Sequence, residues 1–195
     1  MRILHVSDVH CGSEILSSVL ANETYDLAVV SGDFVCLDAT DVLEPYKERV
    51  LAVTGNMDDV SIRRRLLSMG VLMDGRSREL QGLRFGGIGG IDPRADIAAL
   101  RTDLGNHRLD VLVTHHPPHG VLDRTYLGVR IGLRDLRDFV AAVRPRLHLF
   151  GHVHESPGHQ VFGSTLAVNP GPLFQGRYAI IDLSGDSLKV ELRKL

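Results

Sequence analysis

Arg2-Ile3-Leu4-His5-Val6-Ser7-Asp8-Val9-His10 opens the chain, and its change of character decides the fold. A short, mostly apolar run is the pattern of a buried strand. A small residue then ends the run, and a carboxylate and an imidazole follow. The pattern recurs four times. Leu27-Ala28-Val29-Val30 ends at Ser31-Gly32-Asp33, and Val50-Leu51-Ala52-Val53 at Thr54-Gly55-Asn56. Val111-Leu112-Val113 runs into Thr114-His115-His116, and Leu147-His148-Leu149-Phe150 into Gly151-His152.

Between these strands, amphipathic spacing predicts helices over 58–69, 96–104 and 133–143. The last stops before Pro145, because proline disfavours a helical predecessor. Val60, Ile62, Leu66, Leu67 and Met69 form the apolar set of the first, and Arg63-Arg64-Arg65 its solvated face. The segment 83–91 reads as a strand loosened by glycines. The tail then changes to strands over 160–163, 165–168, 178–183 and 188–192, joined by Gly/Ser/Asp turns. Alternating strands and helices followed by hairpin-like strands predict a mixed α/β sandwich, two facing sheets with helices outside. No linker or repeat divides it, so the expectation is one domain over residues 1–195.

Composition narrows the function. The 195 residues are 44% hydrophobic and 24% charged, and 22 basic against 24 acidic residues give a formal charge of −2. Such a balance makes no electrostatic case for a nucleic-acid polymer or a membrane surface as partner. No apolar run approaches the roughly 18 residues of a span. The N-terminal stretch turns polar too early for a secretion signal, so the expectation is cytoplasmic. Cys11 and Cys36 are then expected as free thiols, although one bridge between them fits the sequence too. Ten histidines stand out, seven of them between His115 and His159.

Ligands in open α/β sheets gather outside the carboxyl ends of strands. Asp8, His10, Asp33, Asn56, His115, His152 and His154 are released there. Oxygen and nitrogen donors from separate strand ends suit a pair of divalent cations. With no thiolate among them they favour Mn²⁺, with Fe, Ni²⁺, Co²⁺ or Zn²⁺ as alternatives, over a cysteine-rich structural zinc knot. Paired hydrolytic cations lie roughly 3.5–4 Å apart. Asp33 is the carboxylate placed to bridge them.

Asp8-Val9-His10, Gly32-Asp33, Gly55-Asn56, Thr114-His115 and Gly151-His152-Val153-His154, in this order, resemble the calcineurin-like metallophosphoesterases. The resemblance runs from residue 3 to about residue 172. Thr114-His115-His116-Pro117-Pro118-His119-Gly120, with Pro145-Arg146-Leu147-His148 and Gly151-His152-Val153-His154-Glu155, looks like the phosphodiesterase branch that includes the metallophosphoesterase-domain proteins. The resemblance implies a four-layer αββα sandwich. It implies one cation on Asp8, His10, His154 and Asp33, and a second on Asp33, Asn56, His115 and His152. It also implies in-line attack on phosphorus by a hydroxide between them. Asn56 then has two parts, coordinating through its carbonyl and donating its NH₂ to a phosphate oxygen.

One departure bears on the reaction. Many relatives carry a histidine after Gly-Asn, where this chain has Met57, and a thioether cannot protonate a leaving group. His116 is the first substitute donor, followed by Asp58 and His119. The function expected is hydrolysis of a small phosphodiester, a cyclic nucleotide among the options. A phosphomonoesterase is disfavoured by Met57. A non-catalytic scaffold, like the retromer subunit of this fold, would be expected to lack ligands that are all present here. The sequence assigns no oligomeric state. His5 and His148, inside apolar strands, read as buried structural histidines. Gly86–Gly90 reads as a tight strand-to-loop passage, since no Gly-Lys-Ser/Thr follows it. Asn169-Pro170-Gly171-Pro172 reads as a turn at the rim of the site.

Overall fold

The computed structural model describes residues 1–185 and 187–195. β1 (Arg2–Val6), β2 (Leu27–Ser31) and β3 (Val50–Val53) run parallel, with β10 (Arg177–Ser184) and β11 (Ser187–Lys194) completing a sheet ordered β11-β10-β1-β2-β3. A second sheet is ordered β4 (Ser77–Leu80), β5 (Leu83–Ile88), β6 (Val111–Thr114), β7 (Leu147–Leu149), β9 (Thr165–Asn169) and β8 (Gly158–Phe162).

Alternation along the strands builds the layers. Ile3, Leu27, Val29, Leu51 and Val53 face inward and meet Phe85, Val111, Val113, Leu147, Leu149 and Val168 of the other sheet. The residues between them, Leu4, Val6, Ala28, Val30 and Ala52, face outward. They lie under Leu16, Val19 and Leu20 of α1 (Ser13–Asn22), Ala39 of α2 (Leu37–Asp41), and Ile62 and Leu66 of α3 (Val60–Ser68). On the far side, Ile88 and Leu112 are covered by Ile97, Leu100 and Leu104 of α4 (Pro93–Leu104), and by Leu136, Phe139 and Val140 of α5 (Arg134–Val143). The result is helix, sheet, sheet, helix, the four layers expected. Phe34, Phe85, Phe139 and Phe150 are wholly buried, and each such side chain contributes about 1.5–3 kcal/mol.

Helix boundaries and faces differ in detail from the periodicity. α3 starts two residues later than expected, because the Asp59 carboxylate caps it by accepting from the N–H groups of Ser61 and Ile62. Val60 and Leu67 are exposed, not buried. Arg65 is not merely solvated: it pairs with Asp41 and Glu44, and Arg63 approaches the buried Asp74. α4 starts at Pro93 under an Asp92 cap. The unanticipated α1 has no side-chain cap at Gly12, and β4 is a polar edge strand. Neither carries a strong local signal.

Both parallel sets point their carboxyl ends at one edge of the sandwich. The segment after α3 crosses there from the first sheet to the second. Ala52 donates its N–H to Val71, Met73 to Ala52, and Gly75 to Gly87. The loops at this edge are then joined in series: Asp8 N–H to Gly32 O at 3.1 Å, Gly90 N–H to Thr54 O at 2.6 Å, His115 N–H to Ile88 O at 3.3 Å, and Gly151 N–H to His115 O at 3.1 Å. Loops tied by backbone leave side chains little freedom of placement. No helix among the described residues is long and apolar enough to cross a membrane.

Candidate metal centre

Five strand ends, those of β1, β2, β3, β6 and β7, deliver the polar residues to this edge, and close backbone contact sets their spacing. A Cβ on Gly55 would collide with the Asp33 carboxylate, and one on Gly151 with Ser7 Oγ and the Asp8 carboxylate. Glycine is required at both points by proximity.

His115 is fully buried. Its Nδ1 lies 2.8 Å from Ser31 O; a carbonyl only accepts, so in the neutral ring Nδ1 carries the proton and Nε2 presents a lone pair. That lone pair faces Asn56 Oδ1 at 2.8 Å, His152 Nδ1 at 3.2 Å and Asp33 Oδ2 at 3.5 Å. Acceptors crowded this closely need a proton or a cation between them. On the other flank, His10 Nε2 also lies 3.5 Å from Asp33 Oδ2 and is a buried nitrogen without a hydrogen-bond partner. His154 Nε2 lies 3.2 Å from Asp8 Oδ1. Asp8, His10 and His154 form one group whose donor atoms all lie within 4.8 Å of one another, and Asp8, Asp33 and His115 form a second.

The carboxylates are charged by their surroundings. Burial alone would raise the Asp33 carboxyl. The close approach of the His10 imidazole, the charge of His115 and the Met57 N–H outweigh it and hold Asp33 down at about 2. Burial likewise opposes ionisation of Asp8, but its contacts with His154 and His115 keep it below the ordinary carboxylate range. Burial, then the neighbouring His115, pushes His152 down to about 4 and His116 to about 3. Both are therefore neutral imidazoles at neutral pH. All these residues are oxygen or nitrogen donors, two carry fixed negative charge, and one buried nitrogen is orphaned. Such a set fits divalent cations.

The proton-donor candidates separate. His116 stays close, its ring 4.5 Å from that of His152 and its Nδ1 buried without a partner. Asp58 is held by backbone: its oxygens accept from Val35 N–H at 2.8 Å and Gly55 N–H at 2.7 Å. The expectation that it could serve as an acid meets a carboxylate already occupied as a clamp between two loops. His119 faces Asp123. Met57 leaves its side chain exposed, while its N–H holds Asp33 Oδ1 at 2.9 Å. His5 and His148 are buried as expected, bound to Ser31 Oγ and Thr114 Oγ1.

Two features have no forerunner in the sequence reading, and a third is its less favoured alternative. Phe174 packs on both His10 and His154, with ring centroids 5.0 and 5.3 Å away. Buried Asn169 does more than turn the chain: its NH₂ donates to Val153 O and Ser156 O, bracing the loop of His152 and His154. Cys11 and Cys36 are joined in a disulfide, where free thiols were expected. They extend the ends of adjacent parallel strands, and Cys11 N–H donates to Phe34 O, so the chain runs in register until the Cα atoms lie 5.0 Å apart.

The model of the calcineurin-like phosphoesterase superfamily domain matches residues 1–186. The chain belongs to that superfamily. It is similar to human metallophosphoesterase domain-containing protein 1, with 39% identity over 79 residues, 40% of this chain and 24% of the human protein; the matched stretch thus spans about a quarter of that relative. Among solved structures, a novel archaeal phosphodiesterase superposes with TM-score 0.65 at 17% identity, over 99% of this chain and 100% of that one. Vps29 of Entamoeba histolytica superposes at 0.57 and 13% identity, over 100% and 99%. At such identities both likenesses speak to the fold.

Proposed function

We propose that the chain is a dinuclear-metal phosphohydrolase acting on a small phosphodiester, with residues 1–195 as one metallophosphoesterase domain. The observation that carries this is the position of Asp33 Oδ2, 3.5 Å from both His10 Nε2 and His115 Nε2. One carboxylate oxygen shared between two imidazoles of separate groups is the arrangement a bridging ligand needs. Asp8, His10, His154 and Asp33 would hold one cation, and Asp33, Asn56, His115 and His152 the other, Mn²⁺ being favoured. Such a pair, when bound, supplies acidified water and neutralises charge on the phosphoryl oxygens.

The chain's own residues do the rest. Ser31 O fixes the His115 tautomer, as a carbonyl behind a ligating imidazole does. Met57 N–H and the Asp58 clamp hold Asp33 and Asn56 against each other. Asn56 Nδ2 donates to a phosphate oxygen, and His116 is the nearest group for the leaving oxygen. With Met57 where relatives have histidine, esters with good leaving groups are the best substrates, and diesters are preferred over monoesters. We place this work in the cytoplasm, without a nucleic-acid polymer or membrane as partner.

The test is hydrolysis of bis(p-nitrophenyl) phosphate with added Mn²⁺ by wild type, Asp33→Ala and His115→Ala. Activity in wild type alone is expected; equal rates in all three would end the proposal. The Vps29 likeness makes a scaffold the second reading, and metal analysis separates the two. Two equivalents of Mn²⁺ per chain support the enzyme, and a protein that stays empty after soaking supports the scaffold.

A further inference from the structure

Cys11 and Cys36 cross-link the two loops that deliver His10 and Asp33. Cys11 directly follows His10, and Cys36 lies three residues after Asp33. The loops are also paired through backbone, His10 N–H to Asp33 O at 2.8 Å and Cys11 N–H to Phe34 O at 2.9 Å. Their backbone is strained. His10, Cys11, Asp33 and Val35 have φ of 46°, 62°, 56° and 68°, the left-handed region that side chains with a Cβ disfavour. Such a conformation persists only where surrounding structure enforces it, and the bridge is the covalent part of that enforcement. Beyond it, the α1 and α2 starts are joined by the exposed hydrogen bond from Ser13 Oγ to Asp38 Oδ2, at 2.6 Å. Cys11 is exposed and Cys36 half-buried, so a reductant can reach the sulfurs.

We propose that Cys11–Cys36 is a reversible redox modification site that governs how tightly the loops hold the cation at Asp8, His10 and His154, an inference that rests on the metal-centre reading above. The reductant is a dithiol. Its thiolate attacks Cys11 Sγ, forming a mixed disulfide and releasing the Cys36 thiolate, which takes a proton. The second thiol of the reductant then displaces Cys11, which is protonated in turn. Two electrons and two protons pass to the bridge; the dithiol leaves as its own disulfide. With the link open, the left-handed turns at His10 and Cys11 relax and the His10 imidazole leaves its place beside Asp33. His115, held by Ser31 on a buried strand end, keeps its position. In a cytoplasmic protein a disulfide is most often transient and regulatory, which accords with this role.

The experiment compares the full chain, oxidised in air or reduced with dithiothreitol, and the double variant Cys11→Ser/Cys36→Ser. Free thiols are counted, Mn²⁺ binding is titrated by calorimetry, and amide exchange is followed over residues 9–13 and 33–37. The expected result is no free thiol in the oxidised chain and two in the reduced one, with faster exchange confined to those loops. One Mn²⁺ site weakens about tenfold on reduction, the scale of losing support behind a ligand, and the double variant matches the reduced chain in either buffer. Equal, tight Mn²⁺ binding in both states, or free thiols in the air-oxidised chain, overturns the redox site alone. Failure of every form to bind Mn²⁺ instead overturns the metal-centre reading beneath it.

Discussion

The two halves of the site are built differently. The inner half, around His115, is sealed: the imidazole is fully buried, its Nδ1 is fixed by Ser31 O, and Asn56 and Asp33 are set by backbone clamps. The outer half, around His10 and His154, is half-open. Its imidazoles lean on Phe174, its loops carry left-handed residues, and a disulfide ties them. Asp33 belongs to both. One candidate ligand group is thus preorganised by the fold, while the other depends on adjustable local supports.

Asp33→Ala removes the group common to both halves and has the largest effect. Mn²⁺ stoichiometry falls below two, and kcat/KM on a chromogenic diester drops by more than about a hundredfold, beyond the loss typical of a supporting residue. Retained stoichiometry would erase the contrast by removing its hinge. Asp58→Ala attacks the inner half alone. It strands the Val35 and Gly55 N–H groups, at about 1–3 kcal/mol for each buried donor left unpaired, so a lowered Tm and weaker metal binding are expected together. An unchanged Tm would mean the inner half is not clamped as described.

Cys11→Ser/Cys36→Ser tests the outer half through stability. The bridge spans a sequence separation of 25 residues, and closing a loop of that size stabilises by about 3.5 kcal/mol in the chain-entropy account. Phe174→Ala is gentler, since the ring is 38% exposed. It should weaken one Mn²⁺ site by less than about tenfold and leave Tm nearly unchanged. A loss as large as that of Asp58→Ala would show the outer half to be as rigid as the inner.

The smallest effect lies away from both halves. Burial, then the charges of Asp74 and Asp92, pushes the Asp96 carboxyl up to about 6, although it accepts the Gly89 N–H. Its folded value exceeds the unfolded one, so the native state binds the extra proton and loses stability as pH rises through about 4 to 6. Asp96→Asn keeps the acceptor and removes the charge. Its Tm should exceed that of wild type at neutral pH and converge with it near about pH 4, as thermal scans across that range will show.

The architecture was legible because each buried strand announces itself and ends on a small residue before a donor. All seven expected donors stand at one edge for that reason. What stayed hidden depends on contacts distant in sequence. Asp58 reads from sequence as a substitute proton donor, and only its meeting with Val35 and Gly55 shows it to be a clamp. Phe174 sits in a short turn whose only sign was its Gly-Pro setting. The disulfide follows from loop register, which spacing between two cysteines does not encode. α1 has its apolar stripe, Leu16, Val19 and Leu20, but Gly12 offers no side-chain cap to mark where it starts.

Anomalous diffraction from crystals soaked in Mn²⁺ separates a pair of cations sharing Asp33 from every other arrangement. Two peaks about 3.5–4 Å apart are expected, both in contact with Asp33 and one on each side of it, flanked by His10 and by His115. A single peak, or two peaks of which only one touches Asp33, would contradict a shared Asp33.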